Sequence, residues 1–351
     1  MPNTVPDIVT AQRGSLGYIL LNRPQALNAL NHDMVQGIAA TLASWATDES
    51  VTTVAIAGEG ERGLCAGGDV VDMYRSALAG GADAATFFAH EYALNAAIAR
   101  YPKPFVAFMT GVVLGGGVGI SAHGSHRVVT ETTKLGMPEV TIGFVPDVGS
   151  TWLLARAPGE LGTHLALTGT TITGADAIAL GLADWFVPSD SLPQLRADLE
   201  RMPAANAIAS HAVTPPASDL LRQRSWADDA YAGDDPVVIL SRLEGSAAPE
   251  ARAAVSVIRS KSPTSVAVAL ESLRRSARLG SLEQALDQEY RVALRMLEGS
   301  ELREGIRAQV IDKDRTPRWN PTTLEEVDPA DVQRYFEPLG MRELGLARPP
   351  A

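Results

Sequence analysis

The chain has 351 residues, of which 46% are hydrophobic and 20% charged, enough apolar material for a buried core and too much for a disordered or fibrous protein. Acidic residues outnumber basic ones by 41 to 30, and a net charge of -11 argues against a nucleic-acid partner, whose phosphates need a basic face. The single cysteine, Cys65, cannot form an internal disulfide, residues 1–10 carry no signal-peptide pattern, and no run of about 18 apolar residues occurs, so a reducing, cytoplasmic setting without a membrane partner is expected.

In chain order, residues 8–10 and 18–21 read as strands with a turn at Arg13-Gly14. Residues 31–46 place Met34, Ile38, Leu42 and Trp45 at helical spacing, and the β-branched run 53–57 predicts a buried strand. A glycine-rich loop leads into a helix near Asp69, and a second helix is predicted over 84–100. A strand at 105–109 precedes Gly115-Gly116-Gly117, which opens a short helix, and 126–130 is again strand-like. The repeated strand, glycine turn and helix fit an α/β protein, either doubly wound or a spiral of ββα units. Residues 1–190 are expected to form the core domain. From 191 to 255 Pro203, Pro215, Pro216 and Pro236 interrupt a polar stretch, which reads as a helical connecting region. Residues 256–351 form a C-terminal helical region: helices over 261–278 and 282–297, the second capped by Ser281 and Gln284, and a proline-rich tail over the surface from Ile311.

Three segments can carry chemistry. Cys65-Ala66-Gly67-Gly68-Asp69 is a loop between strand and helix whose small residues let a ligand reach backbone N–H groups; a plain turn capped by Asp69 explains it equally. Gly115-Gly116-Gly117-Val118-Gly119 holds more glycine than a turn needs, so its backbone passes close to something. A dinucleotide reading, Gly117-x-Gly119-x-x-Ala122 with Glu139 as acidic partner, is weak because the glycines begin well past the strand. Glu139 and Asp147 stand eight residues apart in an apolar segment shaped by proline and glycine. Carboxylates there suffer desolvation unless they are paired or used, and a raised pKa suits a base or nucleophile. As the alternative, Glu139 lies in a first helical turn and Asp147 caps a helix beginning near Val148. His123 and His126 lack further metal ligands, and no metal site is expected. No G-x-S-x-G elbow and no P-loop occur.

Together with Asn22-Arg23-Pro24-Gln25-Ala26-Leu27-Asn28-Ala29-Leu30, these segments resemble the crotonase, or enoyl-CoA hydratase/isomerase, superfamily. Pro146-Asp147-Val148-Gly149 is similar to its 3-hydroxyisobutyryl-CoA hydrolase branch, as are Lys261-Ser262-Pro263-Thr264-Ser265, Gln288-Glu289-Tyr290-Arg291, Gly305-Ile306-Arg307 and Ile311-Asp312-Lys313-Asp314. The resemblance covers about residues 8–337 and implies the crotonase-like spiral of ββα units with a helical C-terminal region. It implies hydrolysis of a short-chain 3-hydroxyacyl-CoA thioester, as in valine catabolism. Coenzyme A is then part of the substrate, no separate cofactor is needed, and a homo-oligomer is possible in such folds.

Carried over by position, the resemblance makes the Gly68 and Gly116 amides an oxyanion hole. It makes Glu139 the catalytic carboxylate and Asp147 the group that holds the acyl 3-hydroxyl or shares a proton. Glu91, Ala66, Gly67, Asp69 and Gly115 become further substrate contacts. Arg23, Ala26, Leu27 and Lys103 are candidates to hold the coenzyme A portion. Hydratases carry a second glutamate where this chain has Gly119, which argues against the rival hydratase or isomerase activity. A non-catalytic acyl-CoA-binding protein would be expected to lack the glycines or carboxylates that are kept here.

Overall fold

A turn at Gly14 (φ 57°) joins the first two strands, β1 (Ile8–Arg13) and β2 (Leu16–Leu21), as an antiparallel pair in the computed structural model, which describes residues 6–347. The chain continues through α1 (His32–Thr47), β3 (Thr53–Gly58), α2 (Val70–Leu78), α3 (Ala82–Ala99), β4 (Phe105–Met109), β5 (Val112–Leu114) and α4 (Gly116–Gly119). It then forms β6 (His126–Val129), β7 (Lys134–Gly136), a 3-10 turn at Glu139–Ile142, α5 (Ser150–Leu154), α6 (Leu161–Thr168), β8 (Thr171–Thr173), α7 (Gly174–Ala179) and β9 (Trp185–Phe186). After these, regular structure is helical: α8 (Leu192–Leu199), α9 (Ala204–Ala209), α10 (Arg224–Tyr231), α11 (Pro236–Gly245), α12 (Pro249–Arg259), α13 (Pro263–Ser276), α14 (Leu282–Glu298), α15 (Glu301–Ile306) and α16 (Pro329–Arg334), with short 3-10 and π turns.

The main sheet has the order β1-β2-β3-β4-β6-β9, parallel after the first pair, and a second sheet runs β5-β7-β8. A main-sheet strand, a second-sheet strand and a helical segment thus recur along the chain, which is the spiral of ββα units. β4 is buried along its whole length, as a parallel strand covered on both faces must be. Local chemistry sets the helix starts. The Asn31 side chain accepts the Met34 amide at 2.9 Å and begins α1, which buries Met34, Val35, Ile38 and Leu42. Among the described residues no helix is long and apolar enough to cross a membrane.

The chain groups into two compact units, each assembled from separate stretches of sequence. One compact unit gathers the chain up to Gly68 with residues 93–135 and 172–218; the other gathers residues 69–92, 136–171 and everything from Asp219 on. In the first unit, Leu195, Leu199, Ala204, Ala207 and Ile208 of α8 and α9 join Leu16, Tyr18, Val106, Phe108 and Val128 in one apolar cluster. Residues 191–255 are therefore not a mere connection. Their polar texture is the solvent face of amphipathic helices. Pro236 occupies the first position of α11 and Pro203 the N-cap of α9, where a missing N–H leaves no helical bond unmade. Only Pro215 and Pro216 lie in irregular chain, shortly before the passage at Ser218.

The tail does run over the second unit, held at Trp319, Leu324, Val332 and Phe336, and Arg275 stacks on the Phe336 ring at 4.2 Å. Ser281 caps α14 by accepting the Gln284 amide, but the Gln284 side chain takes the Gly280 amide rather than completing a capping box.

Because Leu199 is fully buried in the first unit's core, Leu199→Ala is expected to lower the unfolding free energy by about 2–5 kcal/mol in a urea titration. A change within about 0.5 kcal/mol would return α8 and α9 to the status of a surface linker.

Candidate active site

In the first unit, residues 22–30 form the scaffold of the first glycine loop. Asn28, 1% exposed, donates to the carbonyls of Glu59 and Gly63 at 3.1 Å each and accepts the Arg23 amide at 3.0 Å. The Ala66 amide reaches the Leu27 carbonyl, and the Leu30 amide reaches that of Gly67. The second loop is laid against the first. The Leu114 amide donates to the Cys65 carbonyl at 2.9 Å, and a Cβ on Gly117 would come within 2.5 Å of that same oxygen. Gly115 adopts φ 50°, ψ -119°, a conformation open only to glycine, and so turns β5 into α4. The glycines thus serve the contact between loops rather than a dinucleotide fingerprint.

Neither the Gly68 nor the Gly116 amide is a donor in the loops' internal hydrogen bonds. Gly116 opens α4, where helix geometry leaves its N–H without an intrahelical acceptor. Gly68 stands half-buried directly after Gly67, whose φ is 108°. A Cβ on Gly67 would stand 3.3 Å from the Leu114 carbonyl oxygen and 3.6 Å from the Gly116 nitrogen, so the two loops meet at the residues the sequence singles out.

The second unit holds the carboxylates. Glu91 on α3 is 2% exposed, Glu139 at the start of its 3-10 turn 8%, and Asp147 in the loop before α5 5%. The same unit holds two aromatic pairs: Phe88 stacks on Phe144 with centroids 5.5 Å apart, and Tyr92 meets Tyr290 edge-on. The Tyr92 hydroxyl donates to Asp147 Oδ2 at 2.6 Å. Glu91 Oε1, Glu139 Oε2 and Ser150 Oγ are buried with no hydrogen-bond partner among the described residues. A buried polar atom without a partner costs about 1–3 kcal/mol, more when charged, so the cluster does not add to the stability of the fold.

Burial pushes the Asp147 carboxyl up to about 7 against the pull of the Tyr92 hydrogen bond. Burial also raises Glu139 well above the carboxylate range, and the charges of Asp147 and Glu91 push it further. Glu91 rises for the same two reasons, burial first and Asp147 second. Carboxyls raised in this way hold a proton more readily than exposed ones, which suits groups that take up and return protons.

Several expectations change. Asp147 does not cap α5, whose N-cap is Gly149. Asp69 is the N-cap of α2, accepting the Val71 and Asp72 amides. Lys103 directs its ammonium to the carbonyls of Trp45 and Asp48 at the C-terminus of α1, a favourable place for a cation. Arg23 donates to the Ala29 carbonyl at 2.6 Å and faces Asp7, so it braces the loop in which Ala26 and Leu27 lie. Among the described residues no group of side chains is suited to a metal ion, and His126 pairs with Ser125. Sequence reasoning missed Tyr92 and Glu289. Glu289, 1% exposed, accepts the amides of Gly149 and Thr151; the available signals were its place in the Gln288-Glu289-Tyr290-Arg291 segment and a charge on the apolar face of α14.

Residues 16–336 match the family model described as enoyl-CoA hydratase/isomerase. The chain is 37% identical to the mitochondrial 3-hydroxyisobutyryl-CoA hydrolase of Gallus gallus over 98% of this chain and 92% of the relative. It is 36% identical to 3-hydroxyisobutyryl-CoA hydrolase 1 of Arabidopsis thaliana over 98% and 94%. The crystal structure of a carnitinyl-CoA dehydratase from Mycobacterium thermoresistibile superposes with a TM-score of 0.95 at 50% identity, covering 98% of this chain and 100% of that one. That of an enoyl-CoA hydratase from Rhodobacter sphaeroides gives 0.92 at 42%, covering 97% and 99%.

Three raised carboxyls have a thermodynamic consequence. Their folded-state pKa values lie above the unfolded ones, so their stabilising effect is complete below about pH 4 and is lost as pH rises, for Asp147 through about 7. Glu139→Gln is therefore expected to be more stable than the parent at pH 8 by at least about 1 kcal/mol and to lose that advantage toward pH 5, as followed by urea unfolding. A stability difference that does not vary with pH would contradict the burial of an ionisable Glu139.

Proposed function

The chain belongs to the enoyl-CoA hydratase/isomerase family, and we propose that within it this protein hydrolyses a short-chain 3-hydroxyacyl-CoA thioester of the 3-hydroxyisobutyryl type to the free acid and coenzyme A. The observation that carries the reading is the pair Glu139 and Asp147, buried in one unit with raised pKa values and an unpaired Glu139 oxygen. The curated relatives that bear this activity in their names, matched over nearly their whole length, support it.

Each residue has an assigned task in this proposal. The main-chain amides of Gly68 and Gly116 receive the thioester oxygen as negative charge develops, each donor contributing about 3–4 kcal/mol to the transition state. Ala66, Gly67 and Gly115 supply the close backbone along the thioester. Glu139 delivers an electron pair to the carbonyl carbon, either directly, giving an anhydride that water then opens, or by deprotonating a water that attacks. The carbon–sulfur bond breaks and coenzyme A leaves as thiolate; in the general-base route Glu139 returns the proton it took from water, and in the anhydride route the water that opens the anhydride supplies the proton that neutralises the thiolate. Asp147 and Glu91 hold the 3-hydroxyl of the acyl group. Such a thioester places the reaction in the breakdown of branched or short acyl chains, valine catabolism among them.

A dehydratase or hydratase reading has its own support in the two solved structures that are 50% and 42% identical. Gly119 weighs against it, because the position is a buried glycine inside α4 and offers no second acid. The two readings separate in parallel assays of thiol release from 3-hydroxyisobutyryl-CoA and of hydration of crotonyl-CoA. Thiol release is expected to dominate, and Glu139→Gln to reduce it by about 10²–10⁴-fold. Hydration faster than thiol release, or a Glu139→Gln variant with unchanged turnover, would remove the hydrolase mechanism.

A further inference from the structure

One buried carboxylate has no task in that chemistry. Glu289 on α14 reaches the start of α5, where Oε2 accepts the Gly149 amide at 2.6 Å and Oε1 accepts the Thr151 amide at 3.0 Å and the Thr151 hydroxyl at 2.5 Å. The Thr151 hydroxyl also lies 3.2 Å from Ser276 Oγ on α13, so the site is tied to both long C-terminal helices. Gly149, the N-cap of α5, has no side chain with which to cap it. Glu289, far along the chain, provides the missing acceptor at the positive end of the helix.

The turn clasped in this way is conformationally unfavourable. Val148 sits at φ 54° and Gly149 at φ 78°. A β-branched residue in the left-handed region persists only when its surroundings over-determine it. Asp147 stands immediately before this turn. Its carbonyl accepts the Ser150 amide at 2.8 Å, and its side chain takes the Tyr92 hydroxyl. Asp147 is therefore held from two directions, by Tyr92 at the carboxylate and by Glu289 through the backbone of residues 149–151.

We propose that Glu289 is a positioning residue, whose carboxylate fixes the Asp147-Val148-Gly149 turn and thereby aims Asp147 at the 3-hydroxyl of the substrate. The inference rests on the role given to Asp147 above. Glu289 touches no reacting atom, so its removal acts through Asp147 and falls selectively on substrates that carry the hydroxyl.

The test is a double-mutant cycle on the full chain with E289Q, D147N and the pair, measuring thiol release from 3-hydroxyisobutyryl-CoA and from isobutyryl-CoA. E289Q is expected to lower kcat/KM about 100-fold for the hydroxylated thioester and to leave the other within about twofold. On the D147N background E289Q is expected to change little further. Equal losses on both thioesters, or additive losses in the cycle, would overturn the proposal and leave Glu289 as a support of the fold. A D147N variant that loses nothing selectively would sink the Asp147 assignment itself, a separate signature, and the proposal with it. If thermal melts show E289Q unfolded, Thr151→Val enters the same cycle, with a selective loss of about tenfold expected and an unselective one decisive against.

Discussion

A carboxyl group buried from water and subject to the charge of other carboxyls must either keep its proton or reduce the stability of the fold. Glu91, Glu139 and Asp147 are in that position, and much else in the second unit can be understood from it. Phe88, Phe144 and Tyr92 are buried in the same unit, with Phe88 stacked on Phe144. Tyr92 gives Asp147 one hydrogen bond, while one oxygen of Glu139 and one of Glu91 receive none. A core designed only for stability would fill this space with leucine. The unpaired oxygens are what such a core would avoid and what a proton-accepting site requires.

The first unit brings the two glycine loops together, and under the proposed function the main-chain N–H groups of half-buried Gly68 and buried Gly116 receive the thioester oxygen. Asn28, enclosed among the carbonyls of Glu59 and Gly63, fixes the signature loop, and that loop fixes the backbone of residues 65–68. The second glycine loop then approaches so closely that a side chain at Gly117 would strike the Cys65 carbonyl. Amides held by such packing need not reorganise as charge develops on a bound oxygen, which is where electrostatic catalysis has its advantage.

Much of this was legible in the residues. Asn31 and Asp69 announced helix starts, the spacing of Met34, Ile38 and Leu42 announced the buried face of α1, and the glycine clusters announced a close backbone approach. What misled has physical causes. Pro203 and Pro236 looked like interruptions because proline breaks helices from within, yet here both stand at helix starts. Asp147 looked like a cap because Asp before a helix usually is one; the cap comes instead from Glu289, a tertiary contact no local pattern contains.

The most direct test of the account is a carboxyl ¹³C NMR pH titration of the full-length protein, with Glu139→Gln and Asp147→Asn used to assign the signals. The account predicts that Glu139 and Asp147 remain protonated well above the ordinary carboxyl range, Asp147 titrating near about 7, and that removing the Asp147 charge lowers the Glu139 midpoint. Both signals titrating independently at about 4 would show solvated, uncoupled carboxylates and contradict it.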